Sequence, residues 1–208
     1  MVADPANSPG EFELATLDAH IWSELVRGKV DRRHGFHLPV VASLSSDGGP
    51  DARTVVLREV DGARRLLAFH TDARSPKLQA IRDGGPVAWV FYDARIKQQV
   101  RARGRVTVRR GEESQEAWDR TSLPSRRCYL VPSPPGAPIE TPNDGWVTGL
   151  RGVNPDVSES EAGRAAFAVV ETVVERMDWL FLQARGHLRA SLVWNEGSQT
   201  FDRTWITP

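Results

Sequence analysis

A short polar segment after an apolar run carries residue types that bind anions in proteins. Thr71, Ser75 and Lys77 lie within seven residues of one another and follow the strand-like run 64–70. Ser75 is a good helix N-cap, and Pro76 is favoured at the first helical position, so we predict that a helix begins here. The free N–H groups at its start and these side chains would converge on one spot of the kind that phosphates favour.

Arg53 is a further candidate for this anion site. It stands at the head of the preceding predicted strand, 53–60, and a guanidinium can donate two parallel hydrogen bonds to a phosphate. An ordinary interpretation exists for the same residues, because arginine and lysine beside strands are usually solvated and Ser-Pro is a common helix start. The residue types alone leave both interpretations open.

A basic alternation near the C-terminus forms a second candidate site. Arg185, His187 and Arg189 are spaced two residues apart, so they share one face if the segment is extended. Two guanidiniums and an imidazole side by side repel one another, which favours an anionic or electron-rich ligand. The alternative is a solvent-facing strand edge. Trp179 precedes Arg185 by six residues.

Short strands and a few helices must position both groups. A helix is predicted from Thr16 to about Arg27, ended by Gly28, and another from Pro76 to the Gly-Gly-Pro stop at 84–86. Two shorter helices are predicted at 112–120 and 158–164. Strands are predicted at 36–44, 53–60, 64–70, 86–92, 98–110, 166–176, 179–183, 186–194 and 200–206.

This pattern predicts a mainly β protein with an antiparallel barrel, because at least eight short strands accompany few helices. Strand 98–110 alternates between an apolar face and a polar face that begins at Gln99. Residues 1–13 are predicted to be a flexible N-terminal arm, and 14–208 a single domain.

Composition and charge exclude several classes of protein. Lys+Arg and Asp+Glu each number 27, and this zero net charge gives no general attraction to nucleic acid or acidic membranes. One cysteine, Cys128, excludes an intrachain disulfide and a cysteine-based zinc cluster. No apolar run reaches the roughly 18 residues of a membrane span, and the polar N-terminus is unlike a signal peptide, so we expect a cytoplasmic protein. Seven tryptophans are many for this length and favour an interface or a flat ligand.

The order and spacing of several blocks resemble the flavin-binding segment of pyridoxamine 5′-phosphate oxidase. The blocks are Arg53-Thr54-Val55-Val56-Leu57-Arg58, Phe69-His70-Thr71, Ser75-Pro76-Lys77 and Gln98-Gln99-Val100. Trp179 followed by Arg185, His187 and Arg189 is similar to the C-terminal motif of the same family. The stretch 31–36 followed by the first block is most similar to a bacterial branch of FMN-binding proteins.

The resemblance implies a split β-barrel, FMN as cofactor, and a homodimer with FMN between the subunits. It implies that Arg53, Thr71, Ser75 and Lys77 hold the phosphate, and that the ring contacts the backbone along Val55, Val56 and Leu57. It implies that Arg185 and His187 contact the substrate, which Arg58 would also flank. The further cofactor contacts that it implies are Thr54, Arg58, His70, Gln99, Trp179 and Arg189.

The sequence departs from the oxidase at several positions. Pro76 stands where the family has a phosphate-binding arginine, and Arg74 is the candidate to replace it. Arg58 stands where the oxidase has a substrate lysine. In the region 118–130 the family's tyrosine- and arginine-rich grip on the substrate phosphate is replaced by other residues. The resemblance therefore implies flavin binding without implying a vitamin B6 substrate.

The sequence therefore predicts an FMN-dependent oxidoreductase resembling pyridoxamine 5′-phosphate oxidase, acting on a small molecule. No nucleic acid, membrane or metal is predicted as a partner. The alternative is a flavin- or haem-binding split-barrel module without turnover, serving storage, sensing or partner contact. Retention of Arg185 and His187 favours the enzyme.

Overall fold

The computed structural model describes residues 12–81, 84–142, 145, 153–184 and 186–208, and a single antiparallel sheet dominates them. Its strands are β1 Val40–Leu44, β2 Pro50–Thr54, β3 Glu59–Asp61, β4 Leu66–Asp72, β5 Pro86–Asp93, β6 Gln98–Arg110, β7 Phe167–Phe181, β8 Leu188–Asn195 and β9 Thr200–Ile206. The α-helices are α1 Leu17–Val30, α2 Lys77–Ala80, α3 Gln115–Arg120, α4 Leu123–Arg126 and α5 Val157–Glu161. Short 3₁₀ turns lie at Leu14–Thr16, Gly35–His37, Gly111–Ser114, Arg127–Tyr129 and Arg164–Ala166.

The sheet divides at its longest strand, β7. One edge of β7 pairs with β6, while the other edge pairs first with β4 and then with β8. The order is β2-β1-β5-β6-β7-β4-β3, with β9 outside β8. The predicted class, a mainly β antiparallel split barrel, is confirmed. Within the described part of the chain β2 and β3 do not pair with each other, so the barrel is not closed.

Alternation along β6 separates the two faces of the sheet. Val100 and Ala102 are buried and Arg103 is exposed, as the sequence predicts. Gly104 follows at a β-bulge, where the register with β7 shifts. A Cβ atom on Gly104 would lie 1.9 Å from the carbonyl oxygen of Val173, so the close approach of the two strands requires glycine.

Replacing Gly104 with alanine is expected to destabilise the protein by at least about 2 kcal/mol, because β6 and β7 must separate to admit the methyl group. Urea unfolding followed by circular dichroism measures the change. Gly49→Ala is the matched control, since its nearest contacts would lie at 3.4 Å, and it should cost less than about 0.5 kcal/mol. Equal losses for the two variants would show that the bulge relaxes freely.

Apolar side chains pack on both faces of the sheet. The larger cluster packs α1 against the sheet and includes Trp89, Phe91 and Trp179. The smaller cluster packs α3 against β4 and β7 and comprises Leu66, Ala68, Trp118, Phe167 and Val169. β4 serves both clusters, because Phe69 belongs to the larger and Ala68 to the smaller. Successive residues of β4 therefore face different parts of the molecule.

The predicted strand 53–60 is divided in the structure. β2 ends at Thr54, and β3 begins at Glu59. The N–H groups of Val55 and Leu57 donate to carbonyl oxygens in the segment before β1, both at 3.0 Å, whereas Arg58 N–H donates to β4 at 2.9 Å. Between β2 and β3 the chain thus crosses from one edge of the sheet to the other. This crossing depends on pairing between distant residues, which local β propensity does not predict.

The predicted end of the first helix and the predicted break in the longest strand also differ from the structure. α1 continues past Gly28, whose Cβ position would lie 2.6 Å from Cβ of Phe36. This glycine therefore permits close packing and does not end the helix. The predicted strands 166–176 and 179–183 are one continuous strand, β7.

The predicted N-terminal arm is packed at its end. Phe12 contacts Trp179 with ring centroids 4.8 Å apart. Residues 1–11 of the arm lie outside the described residues. No helix in the described ranges has the length and apolar character needed to cross a membrane.

Candidate functional site

The end of β4 and the start of α2 bring three predicted anion-binding side chains together. Lys77 Nζ donates to Thr71 Oγ1 at 2.9 Å and to Ser75 Oγ at 2.7 Å. Thr71 and Ser75 are buried, so packing fixes both hydroxyls. Since each hydroxyl oxygen accepts from Lys77, its own proton remains to be donated to another acceptor.

β2 adds Arg53 to this group, and we call Arg53, Thr71, Ser75 and Lys77 the cradle. Arg53 Nη1 donates to the carbonyl oxygen of Val41 at 3.2 Å and to Ser43 Oγ at 2.9 Å. Both acceptors are on β1, so the neighbouring strand fixes the guanidinium. Arg53 Nη2 pairs with the carboxylate of Asp51.

The cradle carries excess positive charge. Burial lowers the pKa of Lys77, and the nearby Arg53 guanidinium lowers it further. Asp72 and Asp51 oppose this shift without reversing it. An anion placed between the ammonium and the guanidinium would relieve their repulsion and favour the charged lysine. The arrangement therefore fits a phosphate, which accepts hydrogen bonds from cations and hydroxyls alike.

The backbone at α2 contributes less than the sequence suggests. α2 is a single turn, and its cap residue is Pro76, with no side-chain cap from Ser75. The predicted capping role of Ser75 is therefore wrong; its carbonyl oxygen instead accepts from Leu78 N–H at 3.0 Å. A helix of one turn has only a small dipole. The positive charge of the cradle therefore comes from its side chains.

Arg74 does not join the cradle. Its guanidinium binds Asp72 through Nε at 3.0 Å and through Nη2 at 2.7 Å. It also donates to the carbonyl oxygens of Val131 and Pro132, at 2.8 and 2.9 Å. Arg74 thus ties the segment at Val131 and Pro132 to the end of β4, and it does not replace the arginine that Pro76 displaces.

Residues 54–57 offer main-chain groups next to the cradle. Because the N–H groups of Val55 and Leu57 turn towards the segment before β1, the Val56 N–H points the opposite way in an extended chain. Val56, Leu57 and Arg58 line a groove of about 670 Å³ beside the end of α1. Such a groove can receive a flat ring against an extended backbone.

His70 faces away from the cradle, on the opposite side of β4 from Thr71. With Arg58 and Arg120 it lines a separate cavity of about 420 Å³ between the sheet and α3. Burial lowers the pKa of His70 to about 4, helped by these two arginines, so the imidazole is neutral at pH 7. Its Nδ1 is buried without a hydrogen-bond partner among the described residues.

The C-terminal arginine is paired on the outer face of the sheet. Arg189 binds Asp178 through Nε at 3.2 Å and through Nη2 at 2.9 Å, and Arg101 Nη2 binds the same carboxylate at 2.6 Å. Burial alone would raise the pKa of Asp178, but hydrogen bonds from both arginines lower it. Gln99 lies two residues before Arg101 and therefore shares this outer face.

Trp179 lies in the core, away from Arg189. It is fully buried, and its Nε1 donates to Gln98 Oε1 at 2.8 Å. The residue opposite Arg189 in the β7–β8 register is Leu180, so Leu180 shares the outer face with Arg189. The structure therefore does not bring Trp179 and Arg189 together in one chain.

The two predicted substrate residues precede β8. His187 is exposed, and its Nδ1 accepts from Gln183 N–H at 3.2 Å. Arg185 lies outside the described residues. His187 therefore stands at the surface of the single chain.

Two acidic partners were missed by the sequence reasoning. Asp51 and Asp178 bind the two arginines expected at the ligand, Arg53 and Arg189. Asp51 would have been detectable only if the predicted strand had begun before Arg53, as β2 does at Pro50, because residues two positions apart on a strand share a face. Asp178 was not, since its contact depends on the register between β7 and β8. No group of three His, Cys, Asp or Glu in the described ranges could hold a metal ion.

Comparison with known proteins shows which proteins this chain is similar to. Residues 15–110 match the family model described as pyridoxamine 5′-phosphate oxidase, FMN-binding domain. A pyridoxine/pyridoxamine 5′-phosphate oxidase of Ruegeria sp. (strain TM1040) is 33% identical over 86 residues, which cover 41% of this chain and 42% of the relative. Pyridoxine/pyridoxamine 5′-phosphate oxidase 2 of Arabidopsis thaliana is 29% identical over 133 residues, covering 58% of this chain and 66% of the relative. The chain thus spans less than two thirds of either curated relative.

Solved structures share the fold over nearly the whole chain. A pyridoxamine 5′-phosphate oxidase-related FMN-binding protein of Nostoc punctiforme PCC 73102 has a TM-score of 0.69 at 21% identity, covering 91% of this chain and 96% of its own. PhzG of Burkholderia lata 383, in complex with tetrahydrophenazine-1-carboxylic acid, has a TM-score of 0.66 at 17% identity, covering 100% and 98%. Residues 15–110 are thus similar to the FMN-binding domain of pyridoxamine 5′-phosphate oxidase, a match that indicates FMN as the cofactor, and the solved structures share the fold of the chain.

Proposed function

We propose that this protein is an FMN-dependent oxidoreductase of the pyridoxamine 5′-phosphate oxidase-like class. The observation that carries the proposal is the cradle, where two cations and two hydroxyls meet at the end of β4. FMN has a dianionic phosphate, and Arg53 and Lys77 would neutralise it while Thr71 and Ser75 donate hydrogen bonds. When bound, FMN supplies the redox chemistry, and the protein positions and tunes it.

The ring would lie along residues 54–57. The Val56 N–H faces away from the segment before β1. A groove lined by Val56, Leu57 and Arg58, and also by His37 and Leu38 of that segment, runs along the same stretch. Thr54, at the end of β2, and Val55 connect this groove to Arg53. The phosphate and the ring would thus be held by one continuous stretch of chain, by side-chain charge at one end and main-chain groups at the other.

The C-terminal group would reach the flavin from a second copy of the chain. β2 and β8 are separated by five spacings in the sheet order, roughly 24 Å along the sheet. Arg53 is opposite the buried Val41, whereas Arg189 pairs on the outer face with Asp178. This separation favours a site that takes the two arginines from different copies of the chain. We propose a homodimer in which Gln99 and Arg189 approach the partner's flavin, with Arg185 and His187 at its substrate.

Trp179 is the residue of the predicted site that the geometry supports least. It is sealed in the core by Phe12 and Gln98, so its proposed role is to support β7 and β8 from behind. His70 and Arg58 face the cavity against α3, and this cavity is where we propose that the substrate side of the site continues. We also propose that residues 14–208 act as a single domain.

The alternative function, a flavin- or haem-binding module without turnover, is favoured by one observation. His187 is exposed and Arg189 is already paired with Asp178, so the substrate side is incomplete within the single chain. Anaerobic mixing of the flavin-loaded protein with NAD(P)H and with a panel of primary amines separates the two functions. Bleaching of the flavin absorbance supports the oxidoreductase, and an unreactive flavin supports the module.

We expect the protein to purify yellow, with about one FMN per chain, as a dimer. The physical reason is that the cradle leaves positive charge uncompensated, while the second half of the site lies on the outer face of the sheet. Absorbance after heat release of the flavin gives the stoichiometry, and light scattering gives the mass. A colourless monomer without FMN affinity would contradict the proposal.

A further inference from the structure

We propose that Asp51 is a counter-ion of the cradle that competes with the FMN phosphate for Arg53 and so lowers the affinity for FMN. This inference rests on the proposed function, because it takes the cradle as the phosphate site. It concerns the protein before FMN binds, when Asp51 balances part of the positive charge of the cradle.

The geometry of β2 places the carboxylate on the guanidinium. Asp51 and Arg53 are two residues apart on this strand and lie opposite Ser43 and Val41 of β1, so their side chains share a face. β1 already engages Arg53 Nη1 through the Val41 carbonyl and the Ser43 hydroxyl. The other terminal nitrogen, Nη2, is the one left to face a ligand, and Asp51 Oδ2 occupies it.

Asp51 also acts on the second cation of the cradle. Its charge opposes the lowering of the Lys77 pKa, so the carboxylate lies within electrostatic reach of both cations. Asp72 acts on Lys77 in the same direction, but it is nearly buried and is held by Arg74. The Asp51 side chain is 47% exposed. Of these two acidic residues, Asp51 is therefore the one that can turn away into solvent.

Charge balance gives the consequence for the cofactor. Arg53, Lys77 and Asp51 together carry a net charge of +1 before the ligand binds. A phosphate dianion changes that sum to −1, whereas without Asp51 the same site would be neutral. An ion pair at a half-exposed position is weak, so the phosphate can displace it. The displaced carboxylate stays nearby on β2 and continues to repel the dianion.

Asp51→Asn tests this role, because it removes the charge and keeps the shape of the side chain. We expect its dissociation constant for FMN to fall about three- to tenfold. Riboflavin lacks the phosphate, so its dissociation constant should change by less than about twofold. An unchanged riboflavin constant shows that the rest of the site is intact. The measurement is quenching of flavin fluorescence during titration of the full chain freed of flavin, at low and at high salt.

Asp47→Asn is the matched control. Asp47 lies in the turn between β1 and β2, where its carboxylate binds the Ser45 hydroxyl and Gly49 N–H and does not contact Arg53. This variant makes the same change in net charge, and we expect its affinity for FMN to match that of the wild type within about twofold. An equal gain in both variants would reduce the effect of Asp51 to net charge and overturn the proposal.

Two further outcomes separate the inference from the proposed function. If Asp51→Asn binds FMN as the wild type does, or more weakly, while Arg53→Ala still loses FMN selectively, Asp51 does not compete and the function stands. A weaker complex would mean that Asp51 orients Arg53. If neither the wild type nor any variant prefers FMN to riboflavin, the cradle is not a phosphate site, and the role of Asp51 falls with the function.

Discussion

Arg53→Ala is expected to weaken FMN binding about ten- to hundredfold and to change riboflavin binding by less than about threefold. The reason is that Arg53 would donate charge-assisted hydrogen bonds to the phosphate alone, and each contributes roughly 1.5–3 kcal/mol. β1 holds the guanidinium through Val41 and Ser43, so little ordering entropy is lost on binding. Fluorescence titration with both flavins measures the two constants.

The control for this experiment is Arg64→Ala. Arg64 is exposed in the turn between β3 and β4, so its removal changes the net charge equally without touching the cradle. Its effect on FMN affinity should stay below about twofold. Equal weakening of FMN and riboflavin by Arg53→Ala would place Arg53 away from the phosphate.

Replacing Arg185 and His187 together with alanine is expected to abolish most turnover while FMN and the dimer remain. Arg185 would hold an anionic group of the substrate, and the His187 imidazole would hydrogen-bond the substrate or relay a proton. A loss of about a hundredfold or more in turnover is typical when proton transfer or substrate positioning is removed. The rate of flavin reduction by whichever amine or nucleotide reduces the wild type measures this loss.

Arg189→Ala is the comparison variant for that experiment. It leaves Asp178 without one of its two arginines and should lower the FMN content or shift the flavin potential, while substrate contacts remain. Loss of flavin by the double variant to the same extent as Arg189→Ala would make the basic stretch 185–189 cofactor scaffolding. Full activity of the double variant would move the substrate towards Arg58 and the cavity against α3.

The cradle was readable from the sequence because its residues are close along the chain. Thr71, Ser75 and Lys77 follow one strand end, so local rules place them together, and Arg53 heads the preceding predicted strand. Two details that local rules do not determine differ between the prediction and the structure. Ser75 accepts a hydrogen bond from Lys77 instead of capping α2, and Arg74 is bound to Asp72.

The basic residues near the C-terminus and Trp179 show what the sequence alone could not predict. The spacing of Arg185, His187 and Arg189 defines one face of a strand, but Trp179 lies beyond a connection in which the alternation is interrupted. Which face Trp179 takes depends on its pairing with β6 and β8, which involves residues far apart in the chain. Its neighbours Asp178 and Leu180 take the outer face instead. The pairing of Arg189 with Asp178 depends on the same register, so the sequence did not predict it either.

His70 illustrates a different limit. It is adjacent to Thr71, and strand alternation alone would send the two side chains to opposite faces. The family block placed them together, whereas the structure directs His70 to the cavity with Arg58 and Arg120. A motif match shows which residues recur around a ligand, but it does not give the face that each side chain uses.

The ratio of the FMN and riboflavin dissociation constants of the unaltered protein tests the central claim most directly. The two ligands share the ring and differ in the phosphate, so the ratio isolates what Arg53, Lys77, Thr71 and Ser75 contribute. If they form the phosphate site, FMN should bind at least about a hundredfold more tightly at low salt, and the advantage should shrink as salt rises. Equal constants for the two flavins, at any salt concentration, would contradict the account.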